Sequence, residues 1–400
     1  MDFDVLVVGA GPSGCTAASQ LARAGWRVGM LEEHDQIGAS VNCSGVISSE
    51  AFHGYQLPPG LIRHAIQSFD FHSPGGLHWR FLAPRVLAYA VDRSQFDQIL
   101  GHRASEAGAQ LLLQHRVSDI ESSSDRMIVR AQTPESDLVE ISSRAVILAT
   151  GAGVPLLQKL GWGTFSNHLL GAQTVVPFEA SSVEVYLGRR WAPEGFAWSI
   201  PLGDGTAKVG LLSDRDGPQH LRRFLERPDV RSRIRGEPGP IMCSILPLGF
   251  LPRSYGDRLV VVGEAAGHIK ATTCGGIYYG MLTAGLAAEV LDKALDDDQL
   301  DQRRLSDYEK KWRRLLEDEI CIGLKLRRAF KFASDSMLDR LVSLASKDGI
   351  AKLIQDKADF DWHRELIGEV FRHATVGSLL RVLPTNGEKN LSFAPLEPLP

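Results

Sequence analysis

Cysteine is scarce and scattered in this chain of 400 residues. There are five, an odd number, and no two form a C-x-x-C pair; they are Cys15, Cys43, Cys243, Cys274 and Cys321. This spacing supports neither a disulfide framework nor a zinc site. We therefore expect reduced thiols in a cytoplasmic protein, and no metal site.

Long apolar runs and strong net charge are also absent. No uninterrupted apolar stretch reaches about 18 residues, so no membrane-spanning helix is predicted. The N-terminus lacks the basic residues of a signal peptide. A net charge of -4 gives no reason to expect nucleic acid as a partner. We predict a cytoplasmic location and leave contact with the inner membrane face open.

A nucleotide-binding pattern opens the chain. The apolar run 5–8 is typical of a strand buried on both faces of a parallel sheet, and a G-x-G-x-x-G turn and a helix follow it. Gly9 permits the tight turn, Gly11 lets the backbone approach a pyrophosphate, and Gly14 allows close helix–strand packing. Glu32, at the end of the second strand, suits ribose hydroxyls. The pattern predicts a dinucleotide site without choosing between NAD and FAD.

Later segments favour FAD. Arg93 begins a helix and is predicted to contact the flavin or the pyrophosphate; a surface salt bridge is the alternative. The small-residue turn at Thr150 and Gly151 lets backbone pass close to a nucleotide. Glu264 ends another buried strand, where an acid can accept hydrogen bonds from a ribityl chain, which NAD lacks. The helix that follows Gly276 would direct its N-terminal N–H groups at the flavin pyrimidine ring.

Together these segments resemble the p-hydroxybenzoate hydroxylase-like flavoprotein superfamily. The resemblance rests on the glycine turn with Glu32 and on segments 92–97, 149–151 and 263–267. Segments 37–48 and 272–280 are most similar to geranylgeranyl reductases, in particular the archaeal digeranylgeranylglycerophospholipid reductases. The resemblance runs to about residue 300 and implies an FAD cofactor. The residues that we predict to bind it are Gly9, Gly11, Ser13, Gly14, Glu32, Glu33, Cys43, Ser44, Gly45, Arg93, Val117, Thr150, Gly151, Gly263, Glu264, Gly267, Gly275, Gly276 and Ile277.

Two residues depart from the family pattern. Glu264 stands where the family usually has Asp, and Cys274 stands where it usually has the first of three glycines. A Cβ at position 274 is tolerable only if the residue does not need a positive φ. Both departures affect the fine geometry of flavin binding.

Segment 195–201 is the most informative part of the substrate region. Phe196, Trp198 and Ile200 alternate onto one face of a strand that ends at Pro201. The segment resembles the aromatic-x-Trp-x-aromatic-Pro segment that lines the isoprenoid pocket of geranylgeranyl reductases. Apolar walls suit a polyprenyl chain. Core packing within the sheet is the alternative.

Candidate catalytic residues follow from the same resemblance. In the reductases a cysteine in the position of Cys43 lies beside the flavin, where it could shape the site or donate a proton; a small space-filling role is the alternative. Tyr278 is a candidate proton donor and Tyr279 a candidate wall of the substrate pocket, against buried aromatic packing for each.

The fold class predicted is α/β: a Rossmann-type FAD-binding domain with a parallel sheet, interleaved with an antiparallel-sheet substrate domain and followed by helices. The FAD-binding domain takes residues 1–68, 92–158 and 251–300, and the substrate domain takes 69–91 and 159–250. Residues 86–91 are expected to add a strand to the antiparallel sheet. Residues 301–383 form a helical region, in which the basic and apolar run 325–332 is a candidate for contact with anionic lipid. Residues 384–400 form an irregular tail.

The predicted function is reduction of C=C bonds in a geranylgeranyl or polyprenyl lipid by hydride from reduced flavin. No second G-x-G-x-x-G occurs, so the electron donor stays open between NAD(P)H, ferredoxin and a quinol. A monomer is expected. One alternative is a monooxygenase acting on an aromatic or prenyl-quinone substrate, and another is an electron carrier without turnover. A halogenase is disfavoured because halogenases need a lysine in the flavin domain, and none precedes Lys159.

Overall fold

The computed structural model describes residues 2–39, 41–123, 125–135, 137–152, 154–163, 165 and 167–372. The strands are β1 (Phe3–Val8), β2 (Val28–Leu31), β3 (Val46–Ser48), β4 (Ile62–Ile66), β5 (Ser68–His72), β6 (His78–Leu82), β7 (Ala88–Val91), β8 (Gln110–Leu112), β9 (Arg116–Ser122), β10 (Met127–Gln132), β11 (Leu138–Leu148), β12 (Asn167–Pro177), β13 (Val183–Tyr186), β14 (Ala197–Pro201), β15 (Thr206–Ser213), β16 (Met242–Leu248), β17 (Tyr255–Gly256) and β18 (Leu259–Val261). The helices are α1 (Pro12–Arg23), α2 (Ser49–Gly54), α3 (Arg93–Glu106), α4 (Val154–Lys159), α5 (Gly217–Leu225), α6 (Pro228–Arg231), α7 (Ile277–Asp296), α8 (Gln302–Lys331), α9 (Asp335–Ala345), α10 (Asp348–Lys357) and α11 (Arg364–Arg372).

The first of two compact units contains a mainly parallel sheet. It comprises Met1–Cys43, Asp92–Asn167 and Pro247–Ile320. Its sheet runs β17-β18-β11-β1-β2-β8, with β10 on β11 and β9 on β10. Strand β1 pairs in parallel with both β2 and β11, which explains why residues 5–8 are apolar throughout and at most 4% exposed. Helix α1 follows β1 and packs against α3 and α7.

The second unit contains the antiparallel sheet. It takes Ser44–Val91, His168–Leu246 and the described residues from Cys321 onward. Its larger sheet runs β16-β12-β15-β14-β13-β5-β6. From β12 to β13 and between β5 and β6 the pairs are antiparallel, and β13 pairs with β5 in parallel. A parallel sheet, an antiparallel sheet and C-terminal helices confirm the predicted fold class.

One predicted strand joins a different sheet. Residues 88–91 form β7, which pairs with β3 and β4 in a separate three-stranded sheet and not with the larger antiparallel sheet. The prediction was wrong because an alternating apolar pattern identifies a strand but does not choose its partner. The residues of β3 that pair with β7 lie 40 to 44 positions earlier in the chain.

The compact units also divide the chain at different points from those predicted. Residues 44–68 group with the antiparallel unit, since β3 and β4 pair with β7. Residues 301–320 group with the parallel unit, because Tyr308 and Trp312 are fully buried there. The Tyr308 hydroxyl donates to the Val261 carbonyl at 2.8 Å, and the Trp312 indole N–H donates to the Ser254 hydroxyl at 2.8 Å. These contacts attach the first half of α8 to the unit.

The C-terminal helices pack within the second unit. Apolar side chains of α8, α9, α10 and α11 form one cluster, and α10 also contributes to a cluster with the aromatic side chains of β5 and β6. No helix in the described ranges is long and apolar enough to cross a bilayer. The predicted irregular tail, 384–400, lies outside the described residues.

Candidate functional site

The turn between β1 and α1 leaves one side of its backbone open. A Cβ on Gly9 would lie 2.5 Å from the Ala149 carbonyl oxygen, and one on Gly14 would lie 1.9 Å from the Gly9 carbonyl oxygen, so both positions exclude a side chain. A Cβ on Gly11 would meet no atom within 4 Å. Gly11 is also the N-cap of α1, and no side chain of the described chain caps this helix. Its first N–H groups are therefore available to an anion, as expected of a phosphate site.

Glu32 lies where a ribose-binding acid is predicted, at the end of β2. Its carboxylate accepts hydrogen bonds from the Ala10 N–H at 3.0 Å and the His34 N–H at 3.1 Å. The His34 ring nitrogen Nδ1 is 2.5 Å from the same carboxylate. These contacts hold the acid beside the glycine turn. Glu33 instead forms an exposed ion pair with Arg116 at 3.5 Å.

Arg93 is buried in an ion pair and does not extend to the surface. It is 8% exposed, and its guanidinium donates to both carboxylate oxygens of Asp97, at 2.8 and 2.9 Å. Burial opposes the charge on Arg93, but Asp97 and the neighbouring Cys43 sulfur together raise its pKa. Burial raises the pKa of Asp97, while Arg93 works in the opposite direction. The exposed salt bridge considered as the alternative for Arg93 is therefore not what forms. Asp97 was missing from the predicted site, although its i,i+4 spacing from Arg93 was a usable signal.

The turn after β11 holds a buried polar atom without a partner. The Thr150 hydroxyl oxygen is buried and has no hydrogen-bond partner among the described residues. The next residue, Gly151, has a φ of +58°, and a Cβ there would meet no atom within 4 Å. An unpaired hydroxyl beside open backbone fits a bound polar ligand.

Ser13 lies against two glycines, Gly263 in the turn after β18 and Gly280 in α7. A Cβ on Gly263 or on Gly280 would lie 2.5 Å from the Ser13 hydroxyl oxygen, so these two glycines make room for it. Gly267, at φ +82°, approaches the Gly249 carbonyl and is required for packing. Gly276 is the N-cap of α7, and no side chain caps this helix within the described chain.

The remaining predicted residues take several positions. Val117 lies in β9 and packs against the core of the first unit. Ser44 and Gly45 group with the second unit, where the Gly45 carbonyl accepts a hydrogen bond from the Val91 N–H. Tyr278 is partly exposed in the first turn of α7, whereas Tyr279 is only 1% exposed. Of the two tyrosines, Tyr278 is therefore the better placed to reach a ligand.

Glu264 is a buried acid of the first unit whose pKa is strongly shifted. Burial raises the pKa of this carboxyl from its ordinary value of 4.5 to about 7, and the nearby Arg93 charge acts in the opposite direction. The raised pKa means that the folded chain keeps a proton which the unfolded chain loses.

Stability of the flavin-free protein is expected to fall as pH rises through this window. Between pH 4.5 and about 7 the unfolded state binds fewer protons than the folded state at Glu264, so each pH unit weakens the fold. Replacing the acid by Glu264→Gln should remove roughly 2 kcal/mol of this pH dependence, measured by urea unfolding at pH 5 and pH 7.5. Glu135→Gln, at an exposed acid, is the matched control. Equal slopes for wild type and Glu264→Gln would contradict the assignment.

Cys274 adopts the backbone conformation that its side chain disfavours. Its φ is +58°, in the left-handed region. A Cβ at this position would be tolerated without strain only at a negative φ, so Cys274 is strained. The following Gly275 packs against the Lys270 side chain, where a Cβ would lie 2.9 Å from Cε. The turn 270–275 therefore has, at Cys274, a backbone conformation that favours glycine.

Cys274→Gly is expected to raise the free energy of unfolding by about 1 kcal/mol, because it relieves the left-handed strain. Urea unfolding of the flavin-free protein measures the change. Cys274→Ala removes the sulfur but keeps the Cβ, and should give no gain. A comparable gain from Cys274→Ala would show that the sulfur, not the backbone, carries the cost.

The second unit presents an apolar face built across six strands. Strand register places one residue from each strand in a continuous row; the row is Gln173, Gly210, Trp198, Val185, Phe71 and Trp79. Trp198 and Ile200 pack with Ile66, Val183 and Phe69 on this face. Phe196 precedes the strand, and its ring centroid lies 5.9 Å from that of Trp198. Pro201 ends β14 and is buried.

The opposite face of the same sheet is polar at its centre. The hydroxyls of Ser199 and Tyr186 donate to the Glu184 carboxylate at 2.8 and 2.7 Å, and Arg233 donates to it at 2.8 Å. Ser199 and Trp198 therefore point to opposite faces, as the alternation in the sequence predicts. Sequence reasoning missed this network; the signal was a glutamate inside an otherwise apolar strand.

The arrangement in the first unit fits FAD. Open backbone at Gly11, two helix N-termini without a side-chain cap, an acid after β2 and the unpaired Thr150 hydroxyl are the kinds of donor and acceptor that a dinucleotide requires. These features indicate a dinucleotide site, and the comparison with known families identifies the class of protein as the FAD-dependent oxidoreductases. The family model described as "FAD dependent oxidoreductase" matches residues 4–161.

Comparison with known proteins gives the family. Digeranylgeranylglycerophospholipid reductase 2 of Methanothermobacter thermautotrophicus is 32% identical over 87% of this chain and 93% of its own length. A geranylgeranyl bacteriochlorophyll reductase-like protein of Thermoplasma acidophilum superposes with a TM-score of 0.83 over 94% of this chain and 98% of that one, at 22% identity. A halogenase solved with phloroglucinol and FAD superposes with a TM-score of 0.70 at 14% identity, covering 95% of this chain and 92% of that one, and so shares the fold. The chain belongs to the digeranylgeranylglycerophospholipid reductase family, and FAD is its cofactor.

Proposed function

We propose that this chain reduces C=C bonds of a geranylgeranyl or longer prenyl lipid. The observation that carries the proposal is the apolar row on the antiparallel sheet, with Trp198 and Ile200 at its centre, in a chain whose relative is named for a digeranylgeranylglycerophospholipid. Area removed from water is the main source of affinity for a prenyl chain, at about 25 cal/mol per Å². None of the six residues in this row is charged, which suits a prenyl chain.

Reduction of each bond adds one hydride and one proton, and the flavin, when bound and in its two-electron-reduced form, would supply the hydride. The protein holds the cofactor through the turn at Gly11 and the acid at Glu32. Either Cys43 or Tyr278 supplies the proton to the neighbouring carbon. One NAD(P)H, one quinol or two molecules of reduced ferredoxin would return the two electrons to the flavin, and the donor is oxidised.

A single-turnover assay tests the proposal. The FAD-loaded protein is reduced anaerobically with dithionite and mixed with a geranylgeranyl-containing glycerophospholipid, and the lipid is analysed by mass spectrometry. A gain of two hydrogens per reduced bond is expected. No gain with any prenyl lipid contradicts the proposal. Rapid oxygen consumption with a hydroxylated aromatic product would instead identify a monooxygenase.

The same assay separates the two proton donors. Tyr278→Phe removes the phenolic proton but keeps the ring, and Cys43→Ala removes the thiol. In the variant that lacks the true proton donor, the lipid should gain its two hydrogens about a hundredfold more slowly, which is the usual scale of general acid catalysis. The other variant should slow it little.

We further propose contact with an anionic lipid surface near the end of α8. Arg327 donates to the Glu194 carbonyl at 2.8 Å, Lys331 pairs with the Glu194 carboxylate at 3.0 Å, and Arg189 donates to the Lys331 carbonyl at 3.4 Å. These contacts join loop 189–194 to the helix end, where Arg190 is exposed and Phe332 is 39% exposed. Basic charge beside an exposed aromatic ring suits such a surface.

Vesicle flotation tests the lipid contact. The wild-type protein should float with vesicles containing anionic phospholipid and not with neutral ones. Arg190→Glu should weaken the association by about fivefold or more, at about 1 kcal/mol for each basic charge near the surface. Arg340→Glu, at an exposed basic residue of α9, is the control. Equal flotation with neutral vesicles would contradict the proposal.

A further inference from the structure

Two hydrogen-bonding side chains meet at one point of the apolar row. Register pairs Gly210 directly with Gln173 on one side and with Trp198 on the other, so all three share a face. A Cβ on Gly210 would lie 2.6 Å from Trp198 Cζ2 and 2.7 Å from Gln173 Cβ. The two side chains therefore converge over a position that only glycine leaves open.

The polar atoms at this point are buried. The indole nitrogen of Trp198 is buried, and within the described part of the chain it has no hydrogen-bond partner. Gln173 is 4% exposed, and its pairing with Gly210 places it on the same face as Trp198. The neighbouring residues on this face, such as Val185 and Ile200, offer no acceptor. A buried indole N–H usually has a partner, and leaving one unpaired costs free energy.

We infer that Trp198 and Gln173 form a polar subsite that binds an oxygen atom of the prenyl substrate. The inference rests on the proposed function and specifies its substrate class: a prenyl compound with a hydroxyl, ether, ester or carbonyl oxygen, in preference to a bare hydrocarbon. The indole N–H donates to that oxygen, and the Gln173 amide makes a second hydrogen bond to the same group. The subsite fixes where the oxygen-bearing end of the chain lies on the sheet.

Binding of a matched pair of probes to the FAD-loaded protein tests the inference. The probes are geranylgeraniol and the hydrocarbon in which hydrogen replaces its hydroxyl group, titrated by calorimetry. Wild type should bind the alcohol about threefold to tenfold more tightly, the range given by one net hydrogen bond. Trp198→Phe, which keeps a ring but removes the N–H, should abolish this preference, taken as the ratio of the two affinities within the variant so that the apolar area lost with the smaller ring affects both probes alike.

Two further variants complete the design. Gln173→Leu should reduce the preference, again taken as the ratio of the two affinities within the variant. Trp79→Phe, at the far end of the same row, should leave the preference intact. A preference that survives in Trp198→Phe, or its absence from wild type, overturns the inference while the proposed function stands. Failure of wild type to bind either probe removes the proposed function, and the inference with it.

Discussion

Gly11→Ala is expected to leave the flavin-free protein as stable as wild type and to lower its affinity for FAD by roughly tenfold to a hundredfold. The stability prediction follows from the space beside Gly11, where a Cβ would meet no atom within 4 Å. The affinity prediction follows because the same Cβ would occupy the place where a pyrophosphate approaches the turn. Loss of one hydrogen bond to a charged group, about 1.5–3 kcal/mol, corresponds to this range.

Gly14→Ala provides the contrast. Its Cβ would lie 1.9 Å from the Gly9 carbonyl oxygen and 3.3 Å from Val7 Cγ1, and backbone cannot yield as a flexible side chain does. We expect a loss of about 2–3 kcal/mol of stability together with the loss of FAD. Gly54→Ala, at the end of α2 with no atom near its Cβ, should change neither quantity.

Thermal unfolding of the flavin-free proteins and FAD titration by flavin fluorescence separate the two effects. If Gly11→Ala bound FAD as tightly as wild type, the phosphates would not lie on this turn. If it unfolded as readily as Gly14→Ala, its effect on FAD would be a consequence of misfolding.

The nucleotide-binding half could be predicted from sequence because its signals are local. Gly9, Gly14 and Glu32 lie within one β-α-β segment, and each has a single task that its residue type reveals. Packing of Ser13 against Gly263 and Gly280 could not be predicted, because those residues are joined only by the folded sheet and α7.

The antiparallel half shows more clearly which features cannot be predicted from the sequence. The alternation of Trp198 and Ser199 follows from a period of two, and the structure places them on opposite faces as expected. The convergence of Gln173 and Trp198 over Gly210 depends on the register of three strands, which no local pattern gives. The same limit explains the wrong sheet for β7.

Asp97→Ala is expected to destabilise the flavin-free protein by about 3–5 kcal/mol. Arg93 and Asp97 are both buried, and the guanidinium donates hydrogen bonds to both carboxylate oxygens at 2.8 and 2.9 Å, so removal of the carboxylate leaves a buried positive charge without the acid that it is paired with. Glu264 does not replace it, because burial favours the protonated form of that acid. Urea unfolding of the flavin-free protein measures the loss.

A double variant separates the effect of the unpaired charge from the effect of the lost side-chain volume. Arg93→Met with Asp97→Leu replaces the pair by apolar side chains of similar volume and should recover most of the stability lost in Asp97→Ala. If Arg93 also contacts the flavin or pyrophosphate, the double variant should still bind FAD weakly, because that contact is gone while the fold is restored. Full recovery of both stability and FAD affinity would limit Arg93 to a structural ion pair. A cost below about 1 kcal/mol for Asp97→Ala would mean that another group neutralises Arg93, contrary to the geometry of α3.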